Sequence, residues 1–153
     1  MMALTSTTSG PVMDARTLRA ALETFLGEQR FVKFITAGFE PRMFYWQERE
    51  WDRFIEAHPQ FAAALPQLAD LLRFCLLHRQ DLQPDHVRVI HATVYYVRDS
   101  GERSASLFPH ASLGPYYTQG APHPEPMHAV WYCPTCRELA RADEASASGI
   151  HDC

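Results

Sequence analysis

Three of the chain's four cysteines and one of its eight histidines fall into two short pairs, Cys75-x2-His78 and Cys133-x2-Cys136. Two donors separated by two residues let the backbone turn so that both side chains converge on one ion. Four such donors, thiolate sulfur or imidazole nitrogen, meet the tetrahedral preference of zinc. The pattern predicts one structural Zn2+ held by Cys75, His78, Cys133 and Cys136. Three thiolates around a divalent cation leave an excess of one negative charge, which backbone N–H groups aimed at the sulfurs offset. Arg137, directly after Cys136, stands where it could offset the charge further. Each residue also has a plainer reading. Cys75 lies on an apolar stripe, where a lone cysteine is a small core residue, and a lone histidine such as His78 is more often a surface or capping group. The presence of the second pair decides for the metal.

Other chemistries compete for the same residues. A strand ending in Trp131-Tyr132, then Cys133-Pro134-Thr135-Cys136, then a helix has the look of a glutaredoxin-type dithiol. Only 17 residues follow Cys136, however, too few for the rest of that fold. A catalytic zinc needs three protein ligands and an open position. A deaminase would need H-x-E and P-C-x-x-C, but His91-Ala92-Thr93 lacks the glutamate and Tyr132 stands where the proline belongs. No H-E-x-x-H, G-x-G-x-x-G, P-loop or G-x-S-x-G occurs. His86, His91, His110, His123 and His128 read as strand or loop residues, and His151 with Cys153 as part of a frayed end.

Local patterns suggest how the two pairs are positioned. Residues 1–12 are small, polar and aperiodic and read as a disordered tail. Asp14 can cap a helix bearing Leu18, Ala21, Leu22, Phe25 and Leu26, with Gly27 as its stop. Residues 31–39 fit either a strand or a buried helical turn. Pro41 suits the first turn of a second helix reaching Ala57, with Phe44, Gln47, Trp51, Phe54 and Ile55 on one stripe. His58-Pro59 breaks it, and a third helical pattern runs through Phe61, Leu65, Leu68 and Leu72 to Cys75. Residues 80–86 read as a loop, 87–97 as a strand, and 99–102 as a turn. Residues 103–126, rich in proline, read as irregular with one short strand, and Tyr116-Tyr117 as a loop contact patch. Residues 127–132 form a strand, followed by a helix from Arg137 to about Ala147. Helices first, then a small antiparallel β unit and a last helix, predict an α+β fold. The expected organisation is one domain over 13–147, helical over 13–74 and zinc-binding over 75–147, with frayed residues 148–153.

The totals set outer bounds. A chain of 153 residues with 46% apolar and 21% charged residues can bury a core. The net charge of −4 suits a phosphate backbone poorly, so nucleic acid is not the expected partner. No apolar run reaches membrane-spanning length, and the first residues lack the basic and apolar regions of a signal peptide. A cytoplasmic setting follows as the expectation, and there paired cysteines bind metal rather than each other.

The strings FCLLHRQDL (74–82), SLFPHA (106–111) and YCPTCRELA (132–140) resemble those of small bacterial zinc-ribbon-like proteins. The resemblance covers the C-terminal half and implies the same four ligands and a zinc-ribbon or treble-clef-like β unit, but no activity. It departs at Arg79, where such proteins often carry glycine after a knuckle's second ligand, which suggests that Cys75 and His78 lie at a helix end. The leading expectation is a non-enzymatic, zinc-stabilised module acting through a protein partner, of the immunity or accessory-inhibitor type. One alternative is a nucleic-acid-binding regulator, if Arg16, Arg19, Arg30, Lys33 and Arg42 cluster. The other is an enzyme using an open zinc or the Cys133/Cys136 dithiol.

Overall fold

The computed structural model describes residues 13–39, 41–91, 106–118 and 124–148. The expected tails, the turn at 99–102 and the second half of the 87–97 strand lie outside these residues. The fold is α+β, and the chain divides into two compact units with the boundary between Arg73 and Phe74.

The first unit is helical. Helix α1 spans Ala15–Leu26, and the Asp14 carboxylate accepts from the backbone N–H groups of Arg16 (3.3 Å) and Thr17 (3.1 Å), satisfying donors that have no partner within the helix. Gly27, at φ +78, turns the chain directly into α2, Glu28–Thr36. The short apolar run at 31–39 is thus helical, and Phe31 and Phe34, one turn apart, are both buried. Helix α3 covers Tyr45–Ala57, four residues later than Pro41 implies. Gln47 fixes that start: its Oε1 accepts from the Phe44 N–H (2.8 Å), while its Nε2 donates to the carbonyls of Phe34 and Gly38 (both 2.9 Å). A buried amide with every bond made joins the end of α2 to the beginning of α3. The third helical pattern becomes a 3₁₀ helix over Pro59–Gln67 and a single α turn, α4, at Leu68–Leu71. Pro66 has no N–H to close an α-helical bond, and the helix ends before Cys75. The rings of Trp51, Phe54 and Phe61 pack at centroid distances of 5.5–5.6 Å in the centre of this unit.

The second unit holds the strands. Strands β1 (Phe74–Cys75) and β2 (Gln80–Asp81) form a small antiparallel hairpin. Cys75 therefore lies on a strand, which corrects its placement on a helical stripe, and Gln80–His86 is largely strand rather than loop. Strand β3 (Gln83–His91) is the centre of a three-stranded sheet with order β4-β3-β5. Strand β5 (Met127–Tyr132) runs antiparallel to it, in register from Gln83↔Tyr132 to Arg88↔Met127. Strand β4 (Tyr116–Thr118) pairs parallel, Val89↔Tyr116 to His91↔Thr118. The sheet is thus mixed rather than purely antiparallel. The connection from His91 to Tyr116 is long enough for the crossover that a parallel pair needs, and it leaves Tyr116-Tyr117 in a strand, not a loop. Helix α5 spans Pro134–Ser148, three residues earlier than expected, because proline is well suited to a first helical position.

Candidate metal centre

The two half-sites reach the same point by different local structures. Cys75 closes β1, and the chain turns through Leu76–Arg79 into β2, held by the Arg79 N–H to Cys75 carbonyl bond of 2.8 Å. Arg79 takes φ +54, the left-handed conformation that favours glycine. Cys75-x2-His78 is therefore a knuckle on a β-hairpin, and arginine occupies the position that suggested a helix end. Cys133 immediately precedes α5 and Cys136 lies in its first turn, where the Arg137 N–H to Cys133 carbonyl bond (3.0 Å) begins the helix. A hairpin knuckle followed by a sheet and a helix that carries the second pair at its N-terminus is a treble-clef-like arrangement. The positive end of the helix favours thiolates there.

The four donor atoms lie within 4.8 Å of one another. His78 Nδ1 is 3.7 Å from Cys75 Sγ, 3.5 Å from Cys133 Sγ and 3.3 Å from Cys136 Sγ, and the Cys75 and Cys136 sulfurs are 3.7 Å apart. A tetrahedron with sulfur about 2.3 Å and nitrogen about 2.05 Å from its centre has edges of about 3.8 Å between sulfurs and about 3.6 Å from sulfur to nitrogen. Four of the six separations, 3.3–3.7 Å, are close to these edges and all six are within 4.8 Å, so the cluster could hold one metal ion. All three sulfurs belong to buried residues and His78 is half-buried.

The electrostatics of one thiol are compatible with this. Burial pushes the Cys136 thiol up to about 12, and the neighbouring thiols Cys75 and Cys133 push in the same direction, while only the His110 backbone N–H pulls it down. A thiol placed like that of Cys136 resists ionising unless a cation sits beside it, and a cation reverses the sign of that penalty.

One supporting residue, Gln80, carried no sequence signal. Gln80 Oε1 lies 3.6 Å from Cys133 Sγ and accepts from the Thr135 hydroxyl at 2.9 Å. The SLFPHA string is a buttress: the His110 carbonyl accepts from the Cys133 N–H at 2.8 Å, and Ala111 is buried beside the cysteines. Arg137 does not act as the expected counter-charge to the sulfurs. Its guanidinium donates to Asp85 Oδ2 (2.6 Å), the Ala111 carbonyl (2.9 Å) and the Ser112 carbonyl (3.2 Å), and it lies 3.5 Å from the centre of the Tyr132 ring. It pins β3, the 111–112 segment and β5 to the start of α5. The hydrogen bond from Arg137 holds the Asp85 carboxyl below the usual carboxylate range.

The remaining sequence candidates fall elsewhere. His91 Nδ1 is 3.3 Å from the Thr118 hydroxyl, His128 stacks on Tyr116 at 3.8 Å, and burial lowers the pKa of His110. In the helical unit, Arg19 donates to the Leu71 carbonyl (2.7 Å), Arg30 pairs with Glu50 (3.2 Å), and the Lys33 ammonium lies 5.2 Å from the centre of the Trp46 ring. These three bases thus engage local partners. Among the described residues, no helix is long and apolar enough to cross a membrane. No protein-family model matches the chain, and no curated protein or solved structure matches it with significance.

Proposed function

We propose that Cys75, His78, Cys133 and Cys136 hold one structural Zn2+, and that the chain is a zinc-stabilised protein-interaction module without an activity of its own. The observation that carries the reading is the convergence of three sulfurs and one imidazole nitrogen to within 4.8 Å of one another. That donor set suits zinc better than the harder divalent cations. Four protein donors fill the tetrahedron, so no position remains for a water or a substrate, and the ion serves the fold. A role as accessory or inhibitor of a partner protein in a bacterial cytosol fits the small size and net charge of −4. Contact through a surface rather than a cleft is supported by the exposed large apolar residues of the sheet, Tyr117, Met127 and Trp131.

Metal analysis of protein purified without added metal should give one zinc per chain, and Cys133→Ser should give none. Cobalt substitution should produce the visible absorption of a tetrahedral thiolate site. Metal-free, fully folded protein with a readily cycled Cys133/Cys136 pair would overturn the structural reading.

A further inference from the structure

We propose that the outer face of the β4-β3-β5 sheet binds an acidic, apolar segment of a partner protein, with Arg88 receiving a carboxylate between apolar contacts at Trp131, Met127 and Tyr117. This deepens, and rests on, the reading of the chain as a protein-interaction module.

Cross-strand partners share a face, and successive residues alternate between faces. The registers therefore sort the sheet into two sides. One carries Asp85, Val87, His128, Val130, Tyr132 and Tyr116. This side faces the start of α5, because Arg137 meets Asp85 and the Tyr132 ring there. The opposite side carries Pro84↔Trp131, His86↔Ala129, Arg88↔Met127 and Ile90↔Tyr117. Its large apolar residues are open: Trp131 is 40% exposed, Met127 42% and Tyr117 50%. Contiguous exposed apolar area of this kind marks interaction sites, and Trp, Tyr, Met and Arg are the residue types enriched in protein interfaces.

Charge selects the occupant. None of these eight positions is acidic, and the only full charge among them is Arg88, on the central strand. Arg88 forms no ion pair among the described residues, whereas the guanidinium of Arg137, from α5, is matched by Asp85 on the other side of the sheet. On a chain of net charge −4, this face is locally positive. A bidentate arginine–carboxylate pair bordered by apolar contacts would be sheltered from water and correspondingly strong. A nucleic-acid strand or an anionic lipid surface brings many charges, which one guanidinium does not offset. The dimensions also fit a peptide element. Met127 to Trp131 spans about 13 Å along β5, and β4 to β5 about 10 Å across, from ordinary strand rise and spacing. That is room for two turns of helix or a short extended segment, with the acidic residue nearer to Tyr117 than to Trp131.

The test uses the zinc-loaded full-length chain to select from a displayed library of random 12-residue peptides. Selected peptides are resynthesised and titrated by fluorescence anisotropy. The expected winners carry Asp or Glu among aromatic and branched residues. Arg88→Glu should weaken them at least tenfold and shift a repeated selection toward Lys and Arg, and Trp131→Ala should weaken them about tenfold, with zinc content unchanged in both. Should Arg88→Glu lose zinc, Arg88→Gln replaces it, with at least a fivefold weakening expected. Acidic peptides that bind equally well to the Arg88 and Trp131 variants would overturn this face while leaving the module reading intact. A library that yields nothing would overturn both. Preferential binding of oligouridine, or a dimer in light scattering that Trp131→Ala dissolves, would reassign the face to nucleic acid or to a second copy and overturn the proposal.

Discussion

The two units stabilise themselves in opposite ways. The helical unit buries large side chains, among them Leu18, Leu22, Phe31, Phe34, Phe54 and Leu68, and apolar burial of that kind supports folding at roughly 1.5–3 kcal/mol per side chain. The strand unit's buried cluster is Cys75, Ala111, Cys133, Cys136 and Ala140, with Leu82, Phe108 and Leu113 only partly covered. Three of its five buried members are the sulfur donors. Apart from the sulfurs, that core has little apolar volume. An ion in the proposed site would act in effect as the central residue of the second unit. The two helix starts repeat the contrast: Asp14 caps α1 with a carboxylate, whereas α5 begins at Cys133 and Cys136.

This contrast can be broken from either side. The largest effect is expected from Cys133→Ser, which removes a donor and with it binding energy on the order of 10 kcal/mol that is coupled to folding. Hydrogen exchange should show β3, β5 and α5 losing protection while α1–α3 keep theirs; equal loss in both units would merge them into one cooperative block. Phe54→Ala is the reciprocal experiment. Phe54 is fully buried and its ring packs against Phe25, Trp51 and Phe61, so the cost should be about 3–5 kcal/mol, read by denaturant unfolding with zinc content unchanged. Next in size is Arg137→Leu. It abandons three hydrogen bonds and leaves the Ala111 and Ser112 carbonyls without their donor, for a loss of about 1–3 kcal/mol confined to the metal unit.

Acid should separate the units more gently. Metal binding needs deprotonated thiols, so with zinc in the proposed site its release would set the acid limit of the strand unit. In the helical unit, hydrogen bonds from the Thr17 side chain and backbone hold the Asp14 carboxyl below its ordinary 3.8. A carboxylate with a depressed folded pKa contributes stability that is present above its unfolded value and lost as pH falls through the folded one. Helix α1 should therefore loosen slightly only below about pH 3.8, after zinc has left. Asp14→Asn should remove that dependence while keeping a cap; an unchanged acid limb in circular dichroism would assign it to other groups.

The clustering of the four candidate donors was legible because coordination chemistry dictates such spacing whatever the surroundings. Their supports were not, because side chains such as Gln80 and Arg137 act across 53 and 52 residues of sequence and carry no spacing rule. The local fold misled where one requirement overrode another. The apolar run ending at Cys75 keeps a helical period, yet the knuckle needs a hairpin, and the helix stops at Leu71. Arg79 concealed that hairpin because it adopts φ +54 without being glycine. The polar run 80–86 hid the start of β3, whose residues are mostly exposed or half-buried and so need no apolar alternation. The helical unit was easier to read, because a 3.6-residue period and a capping carboxylate act over one turn.

One consequence concerns time rather than structure. Cys75 and Cys136 meet across 61 residues, whereas Cys133 and Cys136 are neighbours at a helix start. An ion can settle on the local pair as soon as that turn forms, but the knuckle must then be brought back by closing a loop whose entropic cost grows only slowly with length. During synthesis, at roughly 5–20 residues per second, the knuckle waits several seconds for its counterpart to emerge. The helical unit, complete before Cys75 leaves the ribosome, needs no such wait. With an ion in the proposed site, metal supply during that interval would bear on how many chains close it.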